Sequence, residues 1–183
     1  HESSAAILTG QGGAEVGLPP DYDRDATLRA LSSYGWKDDG KTVGHLTDWI
    51  DDYASDQHNN YRAGLSAEAF RGLFDFNSDP KNFKFLMDMG GPHAGALGDV
   101  NPGLAKAFEE ATRPYLNVLA GGNPANYGFD PEASRHLLNL GGPENDIGSD
   151  YELQNQVRRL FGVISSGDGA QANLITDIGL QQA

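Results

Sequence analysis

One fourteen-residue stretch occurs twice in this chain, with its punctuation intact. Asp79–Pro92 reads Asp-Pro-Lys-Asn-Phe-Lys-Phe-Leu-Met-Asp-Met-Gly-Gly-Pro, and 51 residues on, Asp130–Pro143 reads Asp-Pro-Glu-Ala-Ser-Arg-His-Leu-Leu-Asn-Leu-Gly-Gly-Pro. The two align without a gap. Asp-Pro, one leucine (Leu86, Leu137) and Gly-Gly-Pro are identical, and Lys84/Arg135, Met87/Leu138 and Met89/Leu140 match in character. Each copy predicts one short helix. Asp79 and Asp130 are N-caps whose carboxylates accept from the orphan amides of the first turn. Pro80 and Pro131 take the first helical position, where a missing N–H costs nothing. Gly90-Gly91 and Gly141-Gly142 supply a left-handed stop, and the following proline forbids continuation. A duplicated helix with its own start and stop signals points to an all-helical scaffold.

The rest of the chain extends that pattern. Residues 1–20 read as the end of an upstream helix (Glu2–Leu8) followed by a Gly- and Pro-broken linker. The 21–183 region reads as a single α-helical domain. A short helix over 23–34 carries Ala26, Leu28, Leu31 and Tyr34 on its apolar side. After the Gly35–Gly40 turn comes a helix over 41–54, whose Val43, Leu46, Ile50 and Tyr53 share one face. Trp36 and Trp49 are expected in the same core, setting the angle of this hairpin, because a large aromatic is costly to leave in water. Residues 57–64 are polar and open no clear element, so the next helix is expected to begin at Ser66, with Phe70, Leu73 and Phe74 inward. Asn101 as cap and Pro102 at the first position open a helix over 102–120, with Leu104, Phe108, Ala111, Tyr115 and Val118 as its stripe. Pro114 lies inside it and predicts a kink or two helices, since an interior proline removes a ladder bond. A helix over 150–165, capped by Ser149, and a last one over 170–181 close the chain. The expected fold is therefore all-α. It is an irregular multi-helix bundle of stacked short-long hairpins at about 23–54, 79–120 and 130–165, with a partial internal repeat and no significant sheet.

Charge narrows the possible partners. The 183 residues hold 13 basic and 26 acidic side chains, a formal net charge of −13. Nucleic-acid binding needs clustered Lys and Arg to displace phosphate counterions, so no nucleic acid is expected, and anionic membrane surfaces are disfavoured likewise. No apolar run approaches a membrane span. The chain contains no cysteine, which removes disulfides, zinc thiolates and cysteine nucleophiles. It starts at His1 rather than Met, which reads as a fragment excised from a longer protein.

Candidate chemistry is sparse. His45, Asp48 and Asp52 stand at i, i+3 and i+7, where an imidazole and two carboxylates could hold a divalent metal. Asp39 and Asp51 nearby favour a solvated acidic face instead. Asp75–Asp79 imitates the opening of a calcium loop, but Pro80 replaces its glycine and Leu86 its glutamate; the cap role explains Asp79. His93 and His136 occupy different places in the two repeat units and read as surface histidines. Glu109, Glu110 and Glu144 could be imagined as a glycosidase pair, which spacing does not distinguish from ordinary helix charge. Nucleophile-elbow, zincin and Walker sequences are absent. No cofactor is expected.

The segment Leu31–Ala54 holds Trp36-Lys-Asp-Asp-Gly40 and a helix ending Asp48-Trp49-Ile50; later come Asn101-Pro-x-Leu104, Pro114-Tyr115-Leu116 and Ala120-Gly121. Over about residues 20–122 this resembles a recurring block of long actinobacterial proteins described as containing a tetratricopeptide-repeat region, in type VII (ESX-like) secretion and polymorphic-toxin settings. The resemblance implies a helical middle region of a secreted mycobacterial-type protein, with no catalytic residues to carry over; the duplicated capped helix and acidic surface make another protein the expected partner. The 34-residue period of true tetratricopeptide repeats is not present. The expected function is a non-catalytic scaffold or protein-interaction module. The alternatives are a cell-wall-directed hydrolase using carboxylates and histidines, or an acidic chaperone or neutralising partner of a secreted protein.

Overall fold

The computed structural model describes residues 1–54, 59–123, 129, 137 and 151–167. Its regular elements are helices: α1 Glu2–Thr9, α2 Arg24–Ser33, α3 Lys41–Gly44, α4 Trp49–Ala54, α5 Asn60–Ser78, α6 Pro80–Met87, α7 Leu97–Val100, α8 Pro102–Thr112, α9 Leu116–Leu119 and α10 Tyr151–Ile164, with a 3-10 turn at Arg113–Tyr115. No strand occurs among the described residues; Met89 and Gly95 form one isolated antiparallel bridge. The all-α class read from the sequence is the observed one.

The bundle is organised round α5, which touches α1, α4, α6, α8 and α10. Its buried residues include Ala63, Ala67, Phe70, Gly72, Leu73, Phe74 and Phe76, which is the all-round apolar character of a central helix. It starts at Asn60, six residues before the expected Ser66. The cap is Asn59, whose side chain accepts from the Arg62 amide at 3.2 Å. The polar residues ahead of Ser66 thus form an exposed first turn, and Gly64, which argues against helix by propensity, lies buried inside it.

Three other elements differ from the sequence reading. The helix expected at Glu2–Leu8 is present as α1, but it packs into the core instead of lying upstream of it: Ala5, Ala6 and Leu8 are buried and the α1 backbone lies against Gly72. The expected helix over 41–54 is two pieces, α3 and α4. Thr47, fully buried, donates its hydroxyl to the Gly44 carbonyl at 3.1 Å, and Trp49 Nε1 donates to the Leu46 carbonyl at 2.9 Å. Side chains that take helix carbonyls this way compete with the i→i+4 ladder. Gly44 meanwhile lets α3 approach α8, since a Cβ there would lie 2.9 Å from Ala107 Cβ. The small-residue loop before Asn101 holds the short helix α7.

The first repeat unit opens as expected. Asp79 accepts from the amides of Lys81 (2.8 Å) and Asn82 (3.0 Å), with Pro80 at the first position. Its end differs. The C-cap is Asp88, at φ −149°, so no left-handed residue stops the helix. The left-handed glycine is Gly91 (φ +90°), in the tight turn that Met89 and Gly95 close with two 2.9 Å backbone bonds. Gly90 is exposed beside it. In the second unit Leu137 is fully buried, as is Leu86; Asp130, Pro131, Gly141 and Gly142 lie outside the described residues, as do His136, Glu144, Ser149 and the expected helix over 170–181.

Pro114 divides the expected long helix into α8, the 3-10 turn and α9, and Leu104, Phe108, Ala111, Tyr115 and Val118 are all buried. Asn101 precedes Pro102 as expected, but its side chain makes no cap bond. Its amide instead donates to the carbonyls of Ser32 (2.8 Å) and Tyr34 (2.9 Å), tying the end of α2 to the start of α8. Ala26 and Tyr34, expected inward, are exposed.

Candidate functional site

The two tryptophans brace the turns they sit in. Trp36 Nε1 donates to the Leu31 carbonyl at 2.8 Å, and its half-buried ring meets Tyr34 edge-on at 4.8 Å. Trp49 is buried, stacked on His1 at 4.9 Å and edge-on to Tyr53 at 5.3 Å. Both pack against the main core. The polar ends of these rings are satisfied by nearby carbonyls, the usual arrangement for a buried indole.

The sequence-derived metal candidates do not assemble. The break between α3 and α4 puts His45 and Asp48 in a turn, where His45 Nδ1 lies 2.5 Å from Asp48 Oδ2 with both side chains exposed. Asp52 stands on α4, beyond the break, so the single helix face that would have aligned all three is gone. Among the described residues no group of three or more His, Asp or Glu side chains is placed to hold a metal ion. His93, exposed, sits against the α2–α3 connection: a Cβ at Gly35 would fall 2.3 Å from its Nε2.

Two polar clusters lie inside the bundle. Tyr115 is fully buried, with its hydroxyl 2.6 Å from Ser66 Oγ. Ser66 donates to the Ile50 carbonyl at 2.7 Å, so the shared proton comes from Tyr115. Burial pushes the Tyr115 phenol well above its usual range. Near it, Glu109 is almost fully buried and its Oε1 lies 3.7 Å from Arg113 Nη2. Burial also raises Asp51, against the pull of the Arg113 guanidinium. These groups join α4, α5 and α8, and none of them lines the cleft between α1 and α5.

At the surface, Asp38 braces the first turn of α3 from two residues ahead of its N-cap, Gly40. Its carboxylate accepts from Thr42 Oγ1, from the Thr42 amide at 2.8 Å and from the Gly40 amide at 3.2 Å. The hydroxyl and amide of Thr42 hold Asp38 below the usual carboxylate range. A depressed folded value stabilises the fold above the unfolded value near 4, and that contribution is lost as pH falls through the folded one. Asp38→Asn is therefore expected to flatten the acid limb of the stability curve as pH falls below about 4. Urea midpoints measured across that range check it; parallel curves for the two proteins would refute the role of this carboxylate.

Among the described residues, one cleft open to solvent lies between α1, the loop over 11–16 and α5. It has a volume of about 310 Å³ and is lined by Glu2, Ala5, Ala6, Gln11, Gly12, Glu15, Val16, Tyr61, Leu65 and Glu68. The floor comes from alanines of α1 and from Leu65 of α5. The rim carries three carboxylates and no basic side chain. Tyr61, 59% exposed, donates its hydroxyl to Glu2 Oε1, and that bond holds the phenol above its usual range. Sequence reasoning missed this cleft because its walls come from the stretch read as an upstream helix and linker and from residues on either side of the helix start expected at Ser66. A second void, of about 10 Å³ among Leu8, Leu28, Val43, Leu104 and Phe108, is too small to take a ligand. Compared with known proteins, the chain matches no family model, no curated protein and no solved structure.

Proposed function

We propose that this chain is a non-catalytic helical scaffold and protein-interaction module of a secreted or envelope-associated actinobacterial protein, and that the α1–α5 cleft is where it meets its partner. The observation carrying the reading is the cleft itself, an open concavity with an apolar floor and a half-exposed tyrosine on its rim. Tyrosine is enriched at protein interfaces because its rigid ring covers apolar area while its hydroxyl stays wet. The described histidines are engaged elsewhere: His1 stacks on Trp49, His45 pairs with Asp48 in an exposed turn and His93 leans on Gly35. The secreted setting rests on the resemblance of residues 20–122.

The test is site-specific photo-crosslinking. Benzoylphenylalanine placed at position 61 is expected to form a discrete adduct with a protein of the cell-envelope fraction, competed away by excess unlabelled chain. The same probe at position 106, where Lys106 is 69% exposed on α8, is expected to form none. Equal labelling from both positions, or release of sugar or amine from purified cell wall by the chain, would count against the module reading.

A further inference from the structure

We propose that the α1–α5 cleft seats the side chain of an arginine from the partner protein, carried on an apolar peptide segment. This deepens the interaction-module reading and rests on it. The walls of the cleft supply two different kinds of surface. Ala5, Ala6, Val16 and Leu65 line it with aliphatic groups, and Glu2, Glu15 and Glu68 line it with carboxylates. Arginine has the matching division, an aliphatic stem that gains from an apolar wall and a charged head that stays at the wet rim.

Charge selects the occupant. No Lys or Arg lines the cleft to neutralise its three glutamates, and the chain as a whole carries −13. A second copy of this chain, a nucleic acid or an anionic lipid surface would each bring like charge to the rim, and like charges juxtaposed at an interface oppose binding. A bare metal ion is a poor fit, because the rim carboxylates do not group as ligands among the described residues. The remaining occupant is an organic cation long enough to span floor and rim.

Tyr61 sharpens the choice of guanidinium. Its hydroxyl is committed to Glu2 Oε1, which fixes that carboxylate on the rim and leaves its other oxygen to accept. A planar guanidinium can donate to a carboxylate with two N–H groups and lie against an aromatic ring at once. The chain makes such a ring contact internally, where the guanidinium of Arg62 lies 5.1 Å from the Tyr53 ring centre. The cavity of 310 Å³ is at the small end of ligand sites, enough for one long side chain and part of its flanks.

The experiment uses two peptides and amide NMR on the full 183-residue chain. Acetyl-Ala-Leu-Arg-Leu-Ala-amide is titrated against its citrulline analogue, which keeps the shape and removes the charge. The arginine peptide is expected to shift the amides of Ala5, Val16 and Leu65 saturably, with the citrulline peptide at least ten-fold weaker. The double variant Glu15→Gln, Glu68→Gln is expected to weaken the arginine peptide by a similar factor, with its spectrum elsewhere unchanged to show that it folds. Equal binding of the two peptides at the cleft would overturn the cation proposal and leave the cleft as a docking site. Shifts from neither peptide at millimolar concentration, or arginine-peptide shifts confined to other acidic surfaces, would overturn the proposal and remove the support that the cleft lends to the module reading.

Discussion

Gly72→Val is expected to destabilise the protein by about 2–3 kcal/mol, the usual scale for forcing side-chain atoms into a close-packed contact. At about 2–4 °C per kcal/mol for a chain of this length, thermal melting should fall by roughly 5–10 °C. The reason is what faces Gly72. A Cβ at that position would lie 2.5 Å from the Leu8 carbonyl oxygen, 2.8 Å from the Leu8 carbonyl carbon and 3.0 Å from the Thr9 nitrogen. All three are backbone atoms and cannot swing aside as a side chain could. The α1 helix must lift from α5, uncovering Leu8 and Ala5. Gly90→Ala serves as the control, because nothing lies within 4 Å of a Cβ there and its φ is not positive, so its melting point should stay within a degree or two of the parent. Ala5 and Ala6 also line the α1–α5 cleft, so Gly72→Val should weaken the arginine peptide as well. A melting point unchanged by Gly72→Val would mean that α1 does not rest on α5 as described.

Tyr115→Ala should cost about 3–5 kcal/mol, the range for deleting a buried aromatic ring, while Tyr115→Phe should cost about 1 kcal/mol, the net worth of one hydrogen bond. The ring does most of the holding. It stacks on Phe70 at 4.2 Å with the planes 15° apart, and on Phe129 at 5.4 Å. The hydroxyl does less, because Ser66 keeps its own bond to the Ile50 carbonyl when Tyr115 loses its proton donor. Denaturant midpoints of the two variants separate these contributions; equal losses would show that the hydroxyl, not the ring, carries the site. The same residue predicts alkaline behaviour. Its folded pKa is raised above the ordinary value of 10.0, so the fold holds a proton that the unfolded chain releases. The stabilisation is complete below about pH 10 and is lost as pH rises toward the folded value. Of the seven tyrosines, Tyr115 should stay un-ionised in an ultraviolet titration until the protein unfolds.

Where a signal is local, the chain states it openly. Asp79-Pro80 is legible because a capping carboxylate and a proline act on amides two and three residues away. The stripe Leu104, Phe108, Ala111, Tyr115 and Val118 is legible because helical spacing puts those positions on one face, and all five are buried. Pro114 is legible as an interruption because its missing N–H acts on its own turn. The α3–α4 break was hidden, since it depends on the buried Thr47 turning its hydroxyl back to Gly44 and on the approach of Ala107 to Gly44. Asn101 was half legible: its place before Pro102 was readable, but its bonds to Ser32 and Tyr34 span 69 and 67 residues of sequence. The cleft was the least legible, because none of its residues belongs to a motif.

The amino-acid sequence by itself determined the helical class, the acidic balance, and most starts and inward faces of the helices. Caps, prolines and helical periodicity work within a few residues, so their outcome does not depend on the rest of the molecule. Only the tertiary structure decided that α1 belongs to the core, that His45, Asp48 and Asp52 do not form one face, and that Glu2, Glu15, Tyr61 and Glu68 meet around one opening. Those outcomes depend on which backbones can come close, and here a bare Gly72 against the Leu8 carbonyl brings together stretches of chain more than sixty residues apart.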